Sequence, residues 1–368
     1  MKKRICVIFG GRSGEHEISI RSARTVLEQA DPAKYELIPI CIEEDGRWLG
    51  PADALMAFDE GTQAAFRRAH GEPERFGEGS TALAVIPELF GSGRIDAVFP
   101  VLHGTNGEDG TIQGLFEMAD VAYVGCGMLA SSCGMDKTVM KTLFRDAGLA
   151  QCDYVWFLRD EWNSNRDATA ALVGEKIGFP CFVKPANLGS SVGVSKATDR
   201  ESLDAAIELA AEYDRKIIVE EAVPMREIEC AVMGNSDPRA SLPGEYIIRE
   251  AGKSFLDYTE KYAGTGNNEF VVPAPISEAL VKKVQQMAVR AFKAIDGSGL
   301  ARVDFFLRTD NGSLLVNEIN TMPGLTDASG FPKMWQGTGS AFPDVIDELI
   351  RLGLERHEDK KRNKTSRL

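Results

Sequence analysis

The 368-residue sequence has no apolar run approaching the ~18 residues that a membrane-crossing helix needs. Met1 to Arg4 are charged but lead into only a short apolar run before Gly10. That predicts a buried strand rather than a secretory signal, and a cytoplasmic protein. Basic residues are not in excess: 42 Lys and Arg stand against 55 Asp and Glu, a formal charge of −13. Nucleic-acid binders rest on a basic surface, so that class is excluded. A few placed lysines can still hold a phosphate in one cleft, and the remaining acidity serves solubility. No CxxC occurs among the seven cysteines, at 6, 41, 126, 133, 152, 181 and 230. The odd count, with several in apolar strand-like runs, predicts buried free thiols in a reducing compartment. Proximity of Cys126 and Cys133 stays open. The four histidines lack metal-ligand spacing. There is no internal repeat.

Two familiar nucleotide loops are also missing. Gly252-Lys253-Ser254 fails as a Walker A loop because Ile247 stands where its first glycine belongs. Gly10-Gly11-Arg12-Ser13-Gly14-Glu15 fails as a dinucleotide fingerprint because Arg12 replaces the second glycine. A loop feeding a helix N-terminus can nevertheless bind a substrate carboxylate. His16 and Glu17 read as helix-start residues.

What is present is a mixed α/β and α+β pattern. Strand Ile5–Phe9, the glycine turn, helix Ser19–Ala30 and strand Tyr35–Ile42 predict a parallel α/β unit, joined by strand Ile95–Leu102. Residues 50–92 resist assignment and look like an insertion. A change of register near Ser132–Asp136 opens a second unit. It reads as helix Lys137–Ala147 ending at Gly148, then strands Asp153–Leu158, Pro180–Lys184 and Lys216–Glu220 with helices at 168–177 and 201–212. From Val223 the pattern turns β-rich: strands Glu227–Met233, Gly244–Ile248 and Glu269–Val272, helix 277–295, and a hairpin Ala301–Leu307/Ser313–Asn320. A helix at 343–355 and a polar tail follow. The implied domains are 1–133, 134–221 and 222–364.

The hairpin carries the strongest chemical signal. Residues i and i+2 of a strand share a face, so Arg302 and Asp304 point one way, as do Glu318 and Asn320 across from them. Val303, Phe305, Leu315 and Ile319 are assigned to the opposite, apolar face. Three oxygen ligands suit a hard cation such as Mg²⁺, and Glu318 is placed to bridge two ions. Arg302 beside them would stabilise a phosphoryl group or an oxyanion. Spacing of two is common, and a solvated sheet face with an ordinary salt bridge fits the same pattern. Lys184 ends an apolar strand, either snorkelling or holding an anion, and runs into the small-residue loop Gly189-Ser190-Ser191-Val192-Gly193. That loop is either a phosphate cradle or a plain turn. Glu220-Glu221 close another apolar strand, as acceptors for an adenine amino group or as a solvated strand end.

Together these segments resemble the D-alanine–D-alanine ligase family. The resemblance runs from about residue 4 to 356. It rests on FGGRSGEHEIS (9–19), LHGTNGEDGTIQG (102–114), MDK (135–137), FVKPANLGSSVGVSK (182–196), IVEE (218–221), REIECAV (226–232), DYTEKY (257–262), ARVDFF (301–306) and NEINTMPGLT (317–326). It implies a three-domain ATP-grasp fold with an N-terminal parallel α/β domain, and ATP between the central and C-terminal domains. By this resemblance Lys137 and Lys184 contact the phosphates. The loop with Ser191 closes over them. Glu220, Glu221 and the backbone near Val223 meet the adenine, and Glu227 the ribose. Asp304, Glu318 and Asn320 hold two Mg²⁺, for which Mn²⁺ can substitute. Glu15 binds the first D-alanine's ammonium, with His103 near its carboxylate. Arg302 and the Gly324 amide stabilise oxyanions. Ser329 and Lys261 receive the second D-alanine's carboxylate and a phosphate, and Ser190 and Tyr262 tie the closing loops to Glu15.

The implied reaction is formation of D-alanyl-D-alanine for peptidoglycan precursors through an acyl phosphate, by a cytoplasmic homodimer. Tyr262 favours the dipeptide over D-alanyl-D-lactate. Gly330 departs from the family, which often has Leu, Met or Arg there, and leaves the wall around the second substrate open. Rival readings are a ligase preferring D-lactate or D-serine, and a non-catalytic ATP-grasp binding protein.

Overall fold

The computed structural model describes residues 2–75, 95–189, 191–248 and 268–364. Three sheets follow one another along the chain. The first contains β1 (Lys3–Gly10), β2 (Tyr35–Ile42), β3 (Trp48–Leu49) and β4 (Ala97–Val101), in the order β3-β2-β1-β4. β1 runs parallel to both β2 and β4. Ile5 to Phe9 are fully buried, as a central parallel strand covered on both faces must be. Helix His16–Gln29 starts at His16, in keeping with His16 and Glu17 as helix-start residues, three residues ahead of the apolar spacing that opens at Ser19. It is reached through Gly10, at φ +85°, where a Cβ would lie 2.2 Å from the Ile42 carbonyl oxygen. Only glycine fits that turn.

Residues 51–70 are integral rather than inserted. They form helices Pro51–Ala54 and Glu60–His70, the latter capped by the Asp59 carboxylate accepting from Thr62 N. Ala54, Leu55, Phe58 and Phe66 join the core, and the Phe58 ring lies 5.0 Å from that of Phe9.

The second sheet holds β5 (Tyr154–Leu158), β6 (Cys181–Pro185), β7 (Ser195–Ala197) and β8 (Lys216–Glu221), in the order β5-β8-β6-β7. Every pairing is antiparallel, although strands and helices alternate along the chain. Helices Arg166–Lys176 and Arg200–Tyr213 cover one face, against Cys181, Val183, Ile217 and Val219. The period of two then sends Phe182, Lys184 and Glu220 to the other face.

The third sheet is antiparallel, ordered β12-β11-β9-β13-β14: β9 (Met225–Gly234), β11 (Gly244–Ile248), β12 (Asn268–Val271), β13 (Gly299–Arg308) and β14 (Leu314–Asn320). A short β10 (Arg239–Ala240) pairs with β9. Helix Glu278–Ala294 packs on its apolar face, joined by Met140 and Phe144 of helix Lys137–Asp146. The C-terminal helices Gly330–Gly337 and Phe342–Lys360 share a core with the first sheet. Among the described residues no helix is long and apolar enough to cross a membrane.

A bulge corrects the hairpin reading. Asp304 pairs with Glu318 but Phe305 pairs with Val316, so Asn317 is the extra residue. The expected apolar face is therefore wrong at Leu315, which pairs with Phe306. Leu314, Val316 and Ile319 enter the core with Val303 and Phe305. The same bulge brings two consecutive side chains, Asn317 and Glu318, to the cleft.

Candidate active site

A cleft of about 900 Å³ lies between the second and third sheets. Lys137, Lys184, Ser191 and Glu220 line one side, and Glu227, Glu229, Asp304 and Glu318 the other, with Glu221 and Val223 also at its walls.

Lys137 opens its helix just after Asp136, whose carboxylate caps the helix by accepting from Thr138 N and Val139 N. Asp136 also pairs with Lys216 Nζ at 2.5 Å, fastening the helix start to the second sheet. Burial works against the Asp136 carboxylate, yet Lys216 and Thr138 hold it below its ordinary range. Lys137 Nζ donates to the Leu188 carbonyl at 2.8 Å and lies 3.6 Å from Glu318. It thus spans the glycine loop and the third sheet.

Lys184 Nζ lies 2.5 Å from one oxygen of Glu220, and Lys141 Nζ lies 2.8 Å from the other. Glu220 is 3% exposed and Lys141 1%. Burial alone would push the Glu220 carboxyl up, but the two lysines hold it far below its ordinary value. Burial likewise pulls Lys184 down, and Glu220 with Glu318 raises it above its ordinary value. Both Glu220 and Lys184 are therefore charged at neutral pH, with Lys141 closing the cluster from behind.

On the opposite sheet, β9, β13 and β14 place Glu229, Asp304 and Glu318 in one row across adjacent strands. Arg302 grips Asp304 with two hydrogen bonds, Nε to Oδ1 at 2.7 Å and a terminal nitrogen to Oδ2 at 2.6 Å. Its Nε is 3.5 Å from Glu229. Asn320 Oδ1 accepts from Met322 N at 2.8 Å, which holds the carboxamide against the chain turn. Among the described residues no three His, Cys, Asp or Glu side chains form a metal set by themselves. The candidate set is two carboxylates and a carboxamide. It fits a hard divalent cation in ligand chemistry, since all donors are oxygen, two are anionic, and the rest of the shell can come from phosphate and water. The guanidinium on Asp304 shows that this carboxylate attracts a cation.

A second, more polar chamber of about 900 Å³ adjoins the cleft. Glu15, Glu108, Arg302 and Asn320 line it, and it shares Lys137, Ser191, Glu229 and Glu318 with the cleft. His103 stands apart. It is 3% exposed and lines a separate cavity beside Gly10, Gly11 and Leu102. Its Nδ1 lies 3.0 Å from the Met322 carbonyl and 3.8 Å from Glu108, and its Nε2 3.0 Å from Ser22 Oγ. Burial pulls the imidazole down, and Glu108 and Glu15 raise it above its ordinary value. Ser329 Oγ lies 2.7 Å from Thr326 Oγ1, and a Cβ on Gly324 would fall 2.8 Å from that same oxygen, so Gly324 and Ser329 are neighbours. Neither they nor His103 line the two chambers. Ser190, Lys261 and Tyr262 lie outside the described residues.

Sequence reasoning passed over Lys141, Glu229, Asn317 and Glu108. Lys141 is one helical turn beyond Lys137 and Glu229 two residues beyond Glu227, so both had a periodicity signal. Asn317 had none, because only the bulge turns it inward. The described cysteines are all free; six are buried and Cys133 is partly exposed.

A lysine-bearing antiparallel sheet closing over an acidic one defines the ATP-grasp class of folds. Family models for the D-ala D-ala ligase N-terminus and C-terminus match residues 4–126 and 143–351. A D-alanine–D-alanine ligase of Heliobacterium modesticaldum is 47% identical, over 100% of this chain and 99% of that protein. One from Bacillus cytotoxicus is 45% identical over 99% of each. Among solved structures, the D-alanine–D-alanine ligase of Coxiella burnetii superposes with a TM-score of 0.78 at 34% identity, covering 98% of this chain and 96% of that one. The VanG D-Ala:D-Ser ligase of Enterococcus faecalis also gives 0.78 at 34% identity, covering 96% and 100%. The chain belongs to the D-alanine–D-alanine ligase family.

Proposed function

We propose that the chain joins two D-alanines into D-alanyl-D-alanine at the expense of ATP, through an acyl phosphate, for peptidoglycan precursor synthesis. The observation that carries this reading is the meeting of two lysines and an oxygen-ligand row in one cleft, which opens into a polar chamber holding Glu15 and Arg302. Relatives about 45% identical over their full length bear the same activity in their names.

A carboxylate resists attack because its charge is delocalised and its oxygens leave badly. Phosphorylation creates a leaving group, and both transfer steps concentrate negative charge. Lys137 and Lys184 hold the phosphates, and Arg302 faces the developing oxyanion. Glu15 takes the first ammonium, the Gly324 amide joins Arg302 at the oxyanion, and Ser329 and Lys261 serve the second substrate's carboxylate and a phosphate. Mg²⁺, or Mn²⁺ in its place, would be held by Asp304, Glu318 and Asn320 and would neutralise phosphate charge. Gly189 and Ser191 close the cleft from above and shield the acyl phosphate from water, with Ser190 and Tyr262 tying the closure to Glu15. Glu221, Val223 and Glu227 form the nucleoside end; Glu220, with one oxygen on Lys141 and the other on Lys184, stands behind them instead of accepting from the adenine amino group. The domains 1–133, 134–221 and 222–364 each hold one sheet, and the working form is a cytoplasmic homodimer.

The test is phosphate release with D-alanine, L-alanine and D-lactate side by side, with product analysis. Release dependent on D-alanine alone, with the dipeptide as product, is expected. A dominant depsipeptide, or no D-alanine-dependent ADP from folded protein with Mg²⁺, overturns the reading.

A further inference from the structure

Lys141 lies outside the cleft, is almost wholly buried, and has no place in the reaction described above. Placing a lysine in a protein interior is unfavourable unless its charge has a use. Its helix explains the location: Lys137 and Lys141 are one turn apart, so the first reaches the cleft while the second points beneath it. There Lys141 Nζ meets Glu220 at 2.8 Å and sits 5.5 Å from the centre of the Tyr154 ring, whose face favours a cation. The Glu220 carboxylate is divided between two lysines, one on each oxygen, and only Lys184 of the two reaches the cleft.

We infer that Lys141 is a positioning residue for nucleotide binding: it neutralises Glu220 from behind, so that Lys184 keeps an uncompensated positive charge for the phosphates. Without Lys141, Glu220 and Lys184 form a neutral pair, and the carboxylate draws the lysine away from an incoming anion. With it, Glu220 serves as a rigid bracket that aims Lys184 without cancelling it. The inference rests on the ATP-binding reading of this cleft.

The charge argument has a signature that packing lacks. Cancelling the Lys184 charge at the cleft wall, once Glu220 has no second lysine to satisfy it, weakens a phosphate-bearing ligand roughly tenfold or more and leaves an uncharged one alone. The experiment compares ADP, with Mg²⁺, and adenosine as competitors of a fluorescent nucleotide on wild type, Lys141→Met and Lys141→Arg. The expected result is about tenfold weaker ADP binding by Lys141→Met, unchanged adenosine, and Lys141→Arg within about threefold of wild type for both. Equal losses of ADP and adenosine, or wild-type ADP affinity in Lys141→Met, overturn the inference. If Lys141→Met does not fold, the Lys141→Met/Glu220→Gln pair replaces it, since it removes one buried charge of each sign. Relative to Glu220→Gln alone, its ADP affinity should fall less than about threefold, and a tenfold fall overturns the inference. Failure of wild type to bind ADP would instead strike the ATP-binding reading itself.

Discussion

The two walls of the cleft solve opposite electrostatic problems. On the second sheet, Lys184, with Lys141 reaching in from helix Lys137–Asp146, surrounds the Glu220 carboxylate, and the surplus of these three groups is positive. On the third sheet, Glu229, Asp304 and Glu318 stand in a row beside the guanidinium of Arg302, and among the described residues of that row the surplus is negative. In each wall one group of the minority charge holds the majority in place. A polyphosphate carried with divalent cations needs both: the first wall for its oxygens, the second for its metals. Lys137 stands between them, 3.6 Å from Glu318 and bonded to the glycine loop.

The contrast can be broken from either side. Glu318→Gln removes a charge the negative wall cannot replace; activity is expected to fall about 100- to 1,000-fold with the melting temperature little changed. Steady-state turnover across a Mg²⁺ titration checks it, and near-normal rates at ordinary Mg²⁺ would remove the metal role from this wall. Lys184→Met attacks the positive wall and should raise the KM for ATP by roughly 10- to 100-fold, with the KM for D-alanine moving far less. A smaller effect is expected at Gly330, where a Cβ would lie 2.6 Å from Glu229 Oε2 and 3.0 Å from the Phe270 ring. Gly330→Ala must displace Glu229 from the row, so kcat/KM for D-alanine should drop several-fold, about 1 kcal/mol. Steady-state assays with ATP saturating would show no change if Glu229 has no bearing on the row.

The smallest expected effect concerns pH. Folding holds Glu220 below its ordinary value of 4.5, so its contribution to stability is complete above that value and is lost as pH falls beneath it. Glu220→Gln lacks this term. Its unfolding free energy should therefore decline less steeply than wild type's between about pH 4.5 and pH 2, as denaturant titrations would record. Parallel declines would mean that the two lysines do not stabilise the carboxylate.

Much of this arrangement was legible in the chain. Strict alternation put Lys184 opposite Val183, and Arg302 and Asp304 opposite Val303 and Phe305, because a strand offers its faces in turn. Helix Glu278–Ala294 lies within one residue at each end of the 277–295 read from the sequence, and Ser277 proves to be its cap. Residues 51–70 carry little signal of their own because their apolar groups, Leu55, Phe58 and Phe66, are sparse and find their partners on β1 and its neighbours. Alternation alone puts Leu315 on the wrong face, because it cannot foresee the extra residue at Asn317.

Local periodicity and chain order by themselves determined which side chains face which way, and so which lysines and carboxylates were available to a cleft. Tertiary structure alone decided the pairings: that Glu220 is shared by a lysine from its own sheet and another from a helix about 80 residues earlier, that Arg302 closes on Asp304, and that Glu229 fills the space beside Gly330. The reason is physical. Direction along a strand or helix follows from backbone geometry within a few residues, whereas a charge's partner is set by distances that exist only once separate elements have packed.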